Sequence, residues 1–168
     1  GATYTMGARN VTLTAIWTAN TYVVTYQYDN ATGGYSTSSS SFTTGGNAIQ
    51  LPTPTRTGYS FSGWYDDNNY TTLIGAANAN YSPNGTTTAI TLYAKWTVST
   101  STINYDANGG SGTATGTSGN TLSTVTLGTG TGISRGGYTL VGWNTAANLS
   151  GTEYLTGATM VMPAGGTT

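Results

Sequence analysis

The run Gly58-Tyr-Ser-Phe-Ser-Gly-Trp64 returns as Gly137-Tyr-Thr-Leu-Val-Gly-Trp143, 79 positions later. The same interval separates Leu13-Thr-Ala-Ile-Trp17 from Leu92-Tyr-Ala-Lys-Trp96. A fixed period of this size marks a chain built from serial units and sets its architecture before any single residue is interpreted. Each unit closes on Leu-x-Ala-x-Trp. One whole unit opens with the alternating run Tyr22-Val-Val-Thr-Tyr-Gln-Tyr-Asp29 and a Gly33-Gly34 turn, and it ends at Trp96. A second opening follows at Thr102-Ile-Asn-Tyr-Asp106, with its turn at Asn108-Gly109-Gly110.

Residues Gly1-Ala-Thr-Tyr-Thr-Met6 match Gly157-Ala-Thr-Met-Val-Met162, which fixes how the units are cut. Residues 1–20 read as the closing strand of a preceding repeat, 21–98 as a complete repeat, and 99–168 as a second repeat lacking its closing strand. A sheet short of one strand leaves a row of unpaired backbone groups beside an uncovered core. Two arrangements would satisfy them. The sequence is a window of a longer tandem array, or Val11, Leu13, Ala15 and Trp17 of one molecule close the open unit of a neighbour. The second is strand addition between copies, a head-to-tail and non-closing contact that builds filaments.

Charged residues make up 5% of the 168-residue chain, against ~25% in ordinary domains. Ser and Thr supply about a third of it, so hydroxyls and amides solvate the surface. Net charge is −1, and 13 Tyr and 4 Trp are available for burial, which argues for a folded chain rather than a disordered one. Thr, Val, Tyr and Trp favour strands, and strong helix formers are scarce. The expected fold is mainly β: tandem small repeats of mostly antiparallel sheet with at most short helical turns.

With no cysteine there is no disulfide, thiolate metal site or cysteine nucleophile. The hydroxyl-rich, charge-poor composition suits an extracellular or cell-surface protein. Four basic and five acidic residues leave no electrostatic footprint for nucleic acid. No run approaches the ~18 apolar residues of a membrane helix, so no membrane insertion is expected. No leader is visible and the first residue is not Met, which fits a processed or excised segment.

The landmarks of the unit come in a fixed order: a strand ending Tyr-Asp, a Gly-Gly turn, Pro52-Thr-Pro-Thr-Arg56-Thr-Gly-Tyr-Ser-Phe-Ser-Gly-Trp-Tyr65, then Thr91-Leu-Tyr-Ala-Lys-Trp96. In that order the chain resembles the Listeria-Bacteroides repeat, the family containing the B repeat of internalin-type bacterial surface proteins. The second unit departs from the pattern at Gly128-Thr-Gly-Thr-Gly132, Leu140 and Asn144. The resemblance implies small β-grasp-like domains in tandem on an extracellular stalk, acting in spacing, adhesion or self-association without enzymatic activity.

Trp17, Trp64, Trp96 and Trp143 recur at fixed unit positions, which favours packing in a core or interface over an exposed platform for sugar rings. Alternation places Leu92, Ala94 and Trp96 on the buried face of their strand and Tyr93 and Lys95 on the other. Lys95 aligns with Ile16, so it reads as an edge lysine discouraging wrong pairing rather than as half of an isopeptide crosslink. Asp29 and Asp106 recur, as do Arg56 and Arg135. They imply either Asp29–Arg56 and Asp106–Arg135 contacts, or turn-capping aspartates with each Arg laid over an aromatic ring.

The acidic run Asp66-Asp67-Asn68-Asn69 lacks the spacing of a calcium loop and reads as a polar turn. Sequons stand at Asn10, Asn30, Asn69, Asn80, Asn84 and Asn148, close to what a Ser/Thr-rich chain produces by chance, so they mark only candidate glycosylation sites. No His or Cys and only five carboxylates leave no ordinary general base or activated nucleophile; neither enzyme activity nor a cofactor or metal is expected. The expected role is structural: a repeat of an extracellular fibre or adhesin stalk whose partners are adjacent repeats or further copies. The competing expectation is an adhesive module that binds glycans or a host surface protein.

Overall fold

The computed structural model describes residues 1–28, 37–83 and 85–164. Residues 1–20 contain no strand and are exposed throughout. The first unit carries β1 (Thr21–Gln27), β2 (Thr37–Thr43), β3 (Ile49–Gln50), β4 (Tyr59–Tyr65), β5 (Leu73–Gly75), β6 (Asn80–Tyr81) and β7 (Ile90–Val98). The second carries β8 (Thr100–Ile103), β9 (Ser111–Gly112), β10 (Thr117–Asn120), β11 (Thr124–Thr126), β12 (Ile133–Ser134), β13 (Gly142–Asn144), β14 (Glu153–Leu155) and β15 (Thr159–Val161). Among the described residues there is no helix, as the composition predicts.

In the first unit five strands form one sheet in the order β2-β1-β7-β4-β5. The last strand of the unit is therefore its middle one. β7 runs parallel to β1, with Tyr26 beside Leu92, and antiparallel to β4, with Trp64 beside Ala94. Alternation along β7 sends Leu92 and Ala94 into the core at 0% exposure and leaves Trp96 half-buried over it. Trp64, also fully buried, stands against Tyr26, Tyr28 and Phe61 with ring centroids 5.0–5.4 Å apart. Its indole N–H donates to the Pro52 carbonyl at 3.0 Å, so the one polar atom of the largest core side chain is satisfied. Trp96 does the same toward the Tyr28 carbonyl at 2.9 Å, tying the end of β7 to the chain leaving β1.

Lys95 lies on this central strand and not on an edge, which corrects the reading of it as an edge guard. Its ammonium sits 5.0 Å from the Tyr65 ring and 5.5 Å from that of Tyr70, a cation over aromatic faces.

Among the described residues the second unit repeats these parts but has no counterpart of β7. There β8 pairs with β10 and β13 with β14, each as a separate two-stranded sheet. Trp143 keeps its ring contact, 4.3 Å from Tyr105, and its N–H donates to the Gly128 carbonyl at 2.8 Å. It is nonetheless half-buried where Trp64 is fully buried. Among the described residues the buried apolar side chains of this half are Leu127 and Met162.

This difference sets a measurable contrast. Trp64→Ala empties a closed core and should cost about 3–5 kcal/mol, whereas Trp143→Ala starts from a half-open site and should cost clearly less. Denaturant unfolding of the two variants checks this; equal losses would mean the second unit is already sealed.

Candidate functional site: an open strand slot and an inter-unit joint

The slot is defined by superposing one unit on the other through their hydrogen bonds. Thr44 N–H donates to the Asn20 carbonyl at 3.0 Å, and Thr121 N–H to the Ser99 carbonyl at 2.9 Å. Tyr26 hydroxyl bonds Ser40 at 2.7 Å, and Tyr105 hydroxyl bonds Thr117 at 2.7 Å. Asn20 thus corresponds to Ser99, Val24 to Ile103 and Tyr26 to Tyr105. Asp106 stands level with Gln27, two residues from where the shared Tyr-Asp pair placed it. The interval is the same 79 positions that relate Trp64 to Trp143 and Trp17 to Trp96. By this correspondence the empty lane lies between β8 and β13.

Around that lane Ile103, Tyr105 and Trp143 are half-buried and Leu140 is exposed. So is the segment whose sequence matches β7: Val11 is 41% exposed, Leu13 81% and Trp17 89%, and Ala15 is exposed with them. Among the described residues, the strand that the second unit lacks and the strand-like segment without a sheet have the same pattern.

The joint between units is built from β7 running into β8 with only Ser99 between them. Ser99 N–H donates to the Gly58 carbonyl at 3.0 Å. The Thr121 hydroxyl, 6% exposed, donates to Gly58 at 2.5 Å and reaches the Ser99 carbonyl at 3.2 Å. A buried hydroxyl with two acceptors locks three chain segments in one register. Gly58 has φ +79°, and a Cβ there would come 2.9 Å from the Thr121 hydroxyl and 3.1 Å from Leu122, so only glycine fits. None of Gly58, Ser99 or Thr121 was singled out by sequence reasoning for this role; the one signal was the fixed Gly of the Arg-x-Gly-Tyr turn.

That turn also explains the repeated arginines. Arg56 lies 3.8 Å over the Tyr59 ring and Arg135 4.3 Å over Tyr138, with Tyr59 N–H donating to the Arg56 carbonyl and Tyr138 N–H to that of Arg135. Asp106 and Arg135 form no ion pair. The carboxylate accepts the Asn108 N–H at 2.6 Å, closing an Asx turn, and the guanidinium reaches the Asn108 carbonyl at 3.4 Å. The direct contact is replaced by a shared partner. Asp29, Asn30 and Asn84 fall outside the described residues.

The acidic run is a self-closed turn. Asp67 accepts the Thr71 hydroxyl and, at 2.6 Å, the Asn69 N–H, and its carboxyl is held below the ordinary carboxylate range chiefly by that hydroxyl. Among the described residues no three acidic or imidazole groups gather as a metal site. Of the sequons, Asn10, Asn69, Asn80 and Asn148 are exposed, and Asn148 accepts the hydroxyl of Ser150 at 2.7 Å.

The sequence profile of the Listeria-Bacteroides repeat domain matches residues 22–95 and again 102–168. The chain belongs to the Listeria-Bacteroides repeat domain family. The two matched stretches are the two units of the fold, and the segment before residue 22 stands outside both. A relative named "Putative membrane protein" from Evansella cellulosilytica is 31% identical over 157 residues, 92% of this chain and 22% of the relative. A second from that organism, "Putative Gly-rich membrane protein", is 35% identical over 112 residues, 66% of this chain and 12% of the relative. This chain therefore spans under a quarter of either protein. No solved structure matches it. No helix among the described residues is long and apolar enough to cross a membrane.

Two outcomes follow for the repeat. Gly137→Ala, at φ +77° but in open space, should cost about 1 kcal/mol of backbone strain. Gly58→Ala adds displacement of Thr121 and Leu122 and should cost about 2–3 kcal/mol. Equilibrium unfolding that finds the two equal would remove the joint. For Asp67, folding lowers the carboxyl's pKa, so its contribution is complete at neutral pH and lost as pH falls through the folded value. Asp67→Asn should flatten the fall in Tm as pH drops through and below the ordinary carboxylate range.

Proposed function

We propose that this chain is a structural segment of an extracellular or cell-surface stalk or fibre, in which serial β units carry load between a surface and whatever the stalk presents. Its partners are adjacent repeats and further copies, and it works without catalysis or a cofactor. The observation that carries this reading is that β7, the middle strand of one unit, continues through Ser99 into β8, the first strand of the next. Tension along the chain enters the first unit at the start of β1 and leaves at the end of β7. These two strands are parallel neighbours, so the load shears their ladder and strains its bonds together instead of peeling them one by one.

The composition supports the same setting. A surface carrying 5% charged residues and about a third Ser and Thr is solvated without relying on ion pairs, so changes in salt and pH leave it largely unchanged. The relatives' names place those proteins at membranes, which agrees with a surface location for this chain.

Head-to-tail assembly is part of the proposal. Removing residues 1–17 from the full chain should abolish end-to-end assembly, read by negative-stain microscopy and light scattering, while circular dichroism and unfolding show the Tyr22–Trp96 unit unchanged. Assemblies of undiminished length after the deletion would refute it.

A further inference from the structure

We infer that Leu122 is the positioning residue of the joint, a wedge held by the second unit and pressed against Gly58 of the first, which sets the angle between them. Its purpose rests on the stalk reading above, in which a stiff joint passes tension onward. The geometry of the contact stands apart from that reading.

The hydrogen bonds of the joint lock its register but leave its angle open. Ser99 N–H and the Thr121 hydroxyl both donate to the Gly58 carbonyl, at 3.0 and 2.5 Å. Bonds that converge on one oxygen act as a pivot, because a carbonyl accepts over a broad range of directions. Beside the pivot lies a groove of about 520 Å³, lined by Tyr59 and Val98 of the first unit and by Asn120 and Ser123 of the second. It is space into which the units could swing. Relative motion is the ordinary expectation for neighbouring folded units joined by a small contact.

Leu122 supplies an apolar contact off that pivot, at a cost in backbone strain. It has φ +63°, in the left-handed region that a bulky side chain rarely adopts. The first unit shows which residue suits the position. There Gly46 N–H donates to the Thr43 carbonyl as Ser123 N–H does to that of Asn120, so the counterpart of Leu122 is Gly45, at φ +73°. Glycine takes this conformation without strain, whereas a leucine persists in it only where the surroundings hold it.

The second unit holds the backbone. Leu122 N–H donates to the Met162 carbonyl at 2.9 Å, and Met162 N–H donates to the Ser123 carbonyl at 2.8 Å. The side chain crosses to the first unit. A Cβ added to Gly58 would come 3.1 Å from Leu122 Cδ1 and 3.3 Å from its Cγ, so the bare glycine is what admits the leucine. At 52% exposure Leu122 belongs to the core of neither unit. Its backbone stands in one and its side chain on the other, which is the placement that stops a swing.

The native sequence has no cysteine, so spin labels at Ser39→Cys on β2 and Thr126→Cys on β11, both exposed, report on the two units of the full chain. Double electron–electron resonance should find one narrow distance distribution. Leu122→Gly should broaden it roughly twofold as motion between units returns. Leu122→Asn, whose side chain tolerates the left-handed turn, should do the same. Unfolding should show coupling as well: Gly58→Ala should lose less stability beside Leu122→Gly than alone, since the added Cβ then has room. A distribution already broad in the native joint, or one still narrow in both Leu122 variants, would overturn the inference. Strictly additive losses would also overturn it, by confining Leu122 to its own unit. None of these results bears on end-to-end assembly, which the deletion of residues 1–17 reads separately.

Discussion

The structure depends on where its last strand goes. In the complete unit β7 enters between β1 and β4, so that both of its edges are paired and its inward face supplies Leu92 and Ala94 to the core. An edge strand can be lost with a local penalty. A central strand cannot, because its loss leaves two unpaired edges and a divided core. Among the described residues the second unit has no counterpart of β7, and there β8–β10 and β13–β14 stand as separate two-stranded sheets, with Trp143 half-buried where Trp64 is fully covered.

Placing the closing strand in the centre also couples the units. The strand that completes one sheet is the residue-for-residue approach to the next, with Ser99 as the single residue between β7 and β8. Gly58, Ser99 and Thr121 then fix that crossing with a buried hydroxyl and a glycine that has no room for a side chain. Completion of a fold and continuation of an array are thereby the same event, which is why a small unit with few charges can be strung without a flexible linker.

Much of this was legible in the residues. The repeated Gly-Tyr-x-x-x-Gly-Trp run and the Leu-x-Ala-x-Trp ending gave the unit and its period, and alternation gave the buried face of β7, because a strand's side chains reverse face at every step. Alternation says which face is buried but not which strands lie alongside, so Lys95 read as an edge residue when it sits on the middle strand. The Tyr-Asp pair misplaced Asp106 by two residues because it stands where the strand gives way to a turn, and the two units differ in length there. Arg56 and Arg135 over tyrosines followed from turn chemistry as one of two open readings. Thr121 was invisible: one threonine among many, its importance comes from a carbonyl 63 positions away.

The central claim is that the lane between β8 and β13 is a strand site that a Leu-x-Ala-x-Trp segment completes. Amide hydrogen exchange tests it most directly, on the chain lacking residues 1–17, with and without a synthetic peptide covering residues 9–20. The account predicts that the peptide slows exchange along β8 and β13 and leaves β1 and β4 unchanged, since their lane is already filled by β7. Unaltered exchange at β8 and β13 under saturating peptide would contradict it.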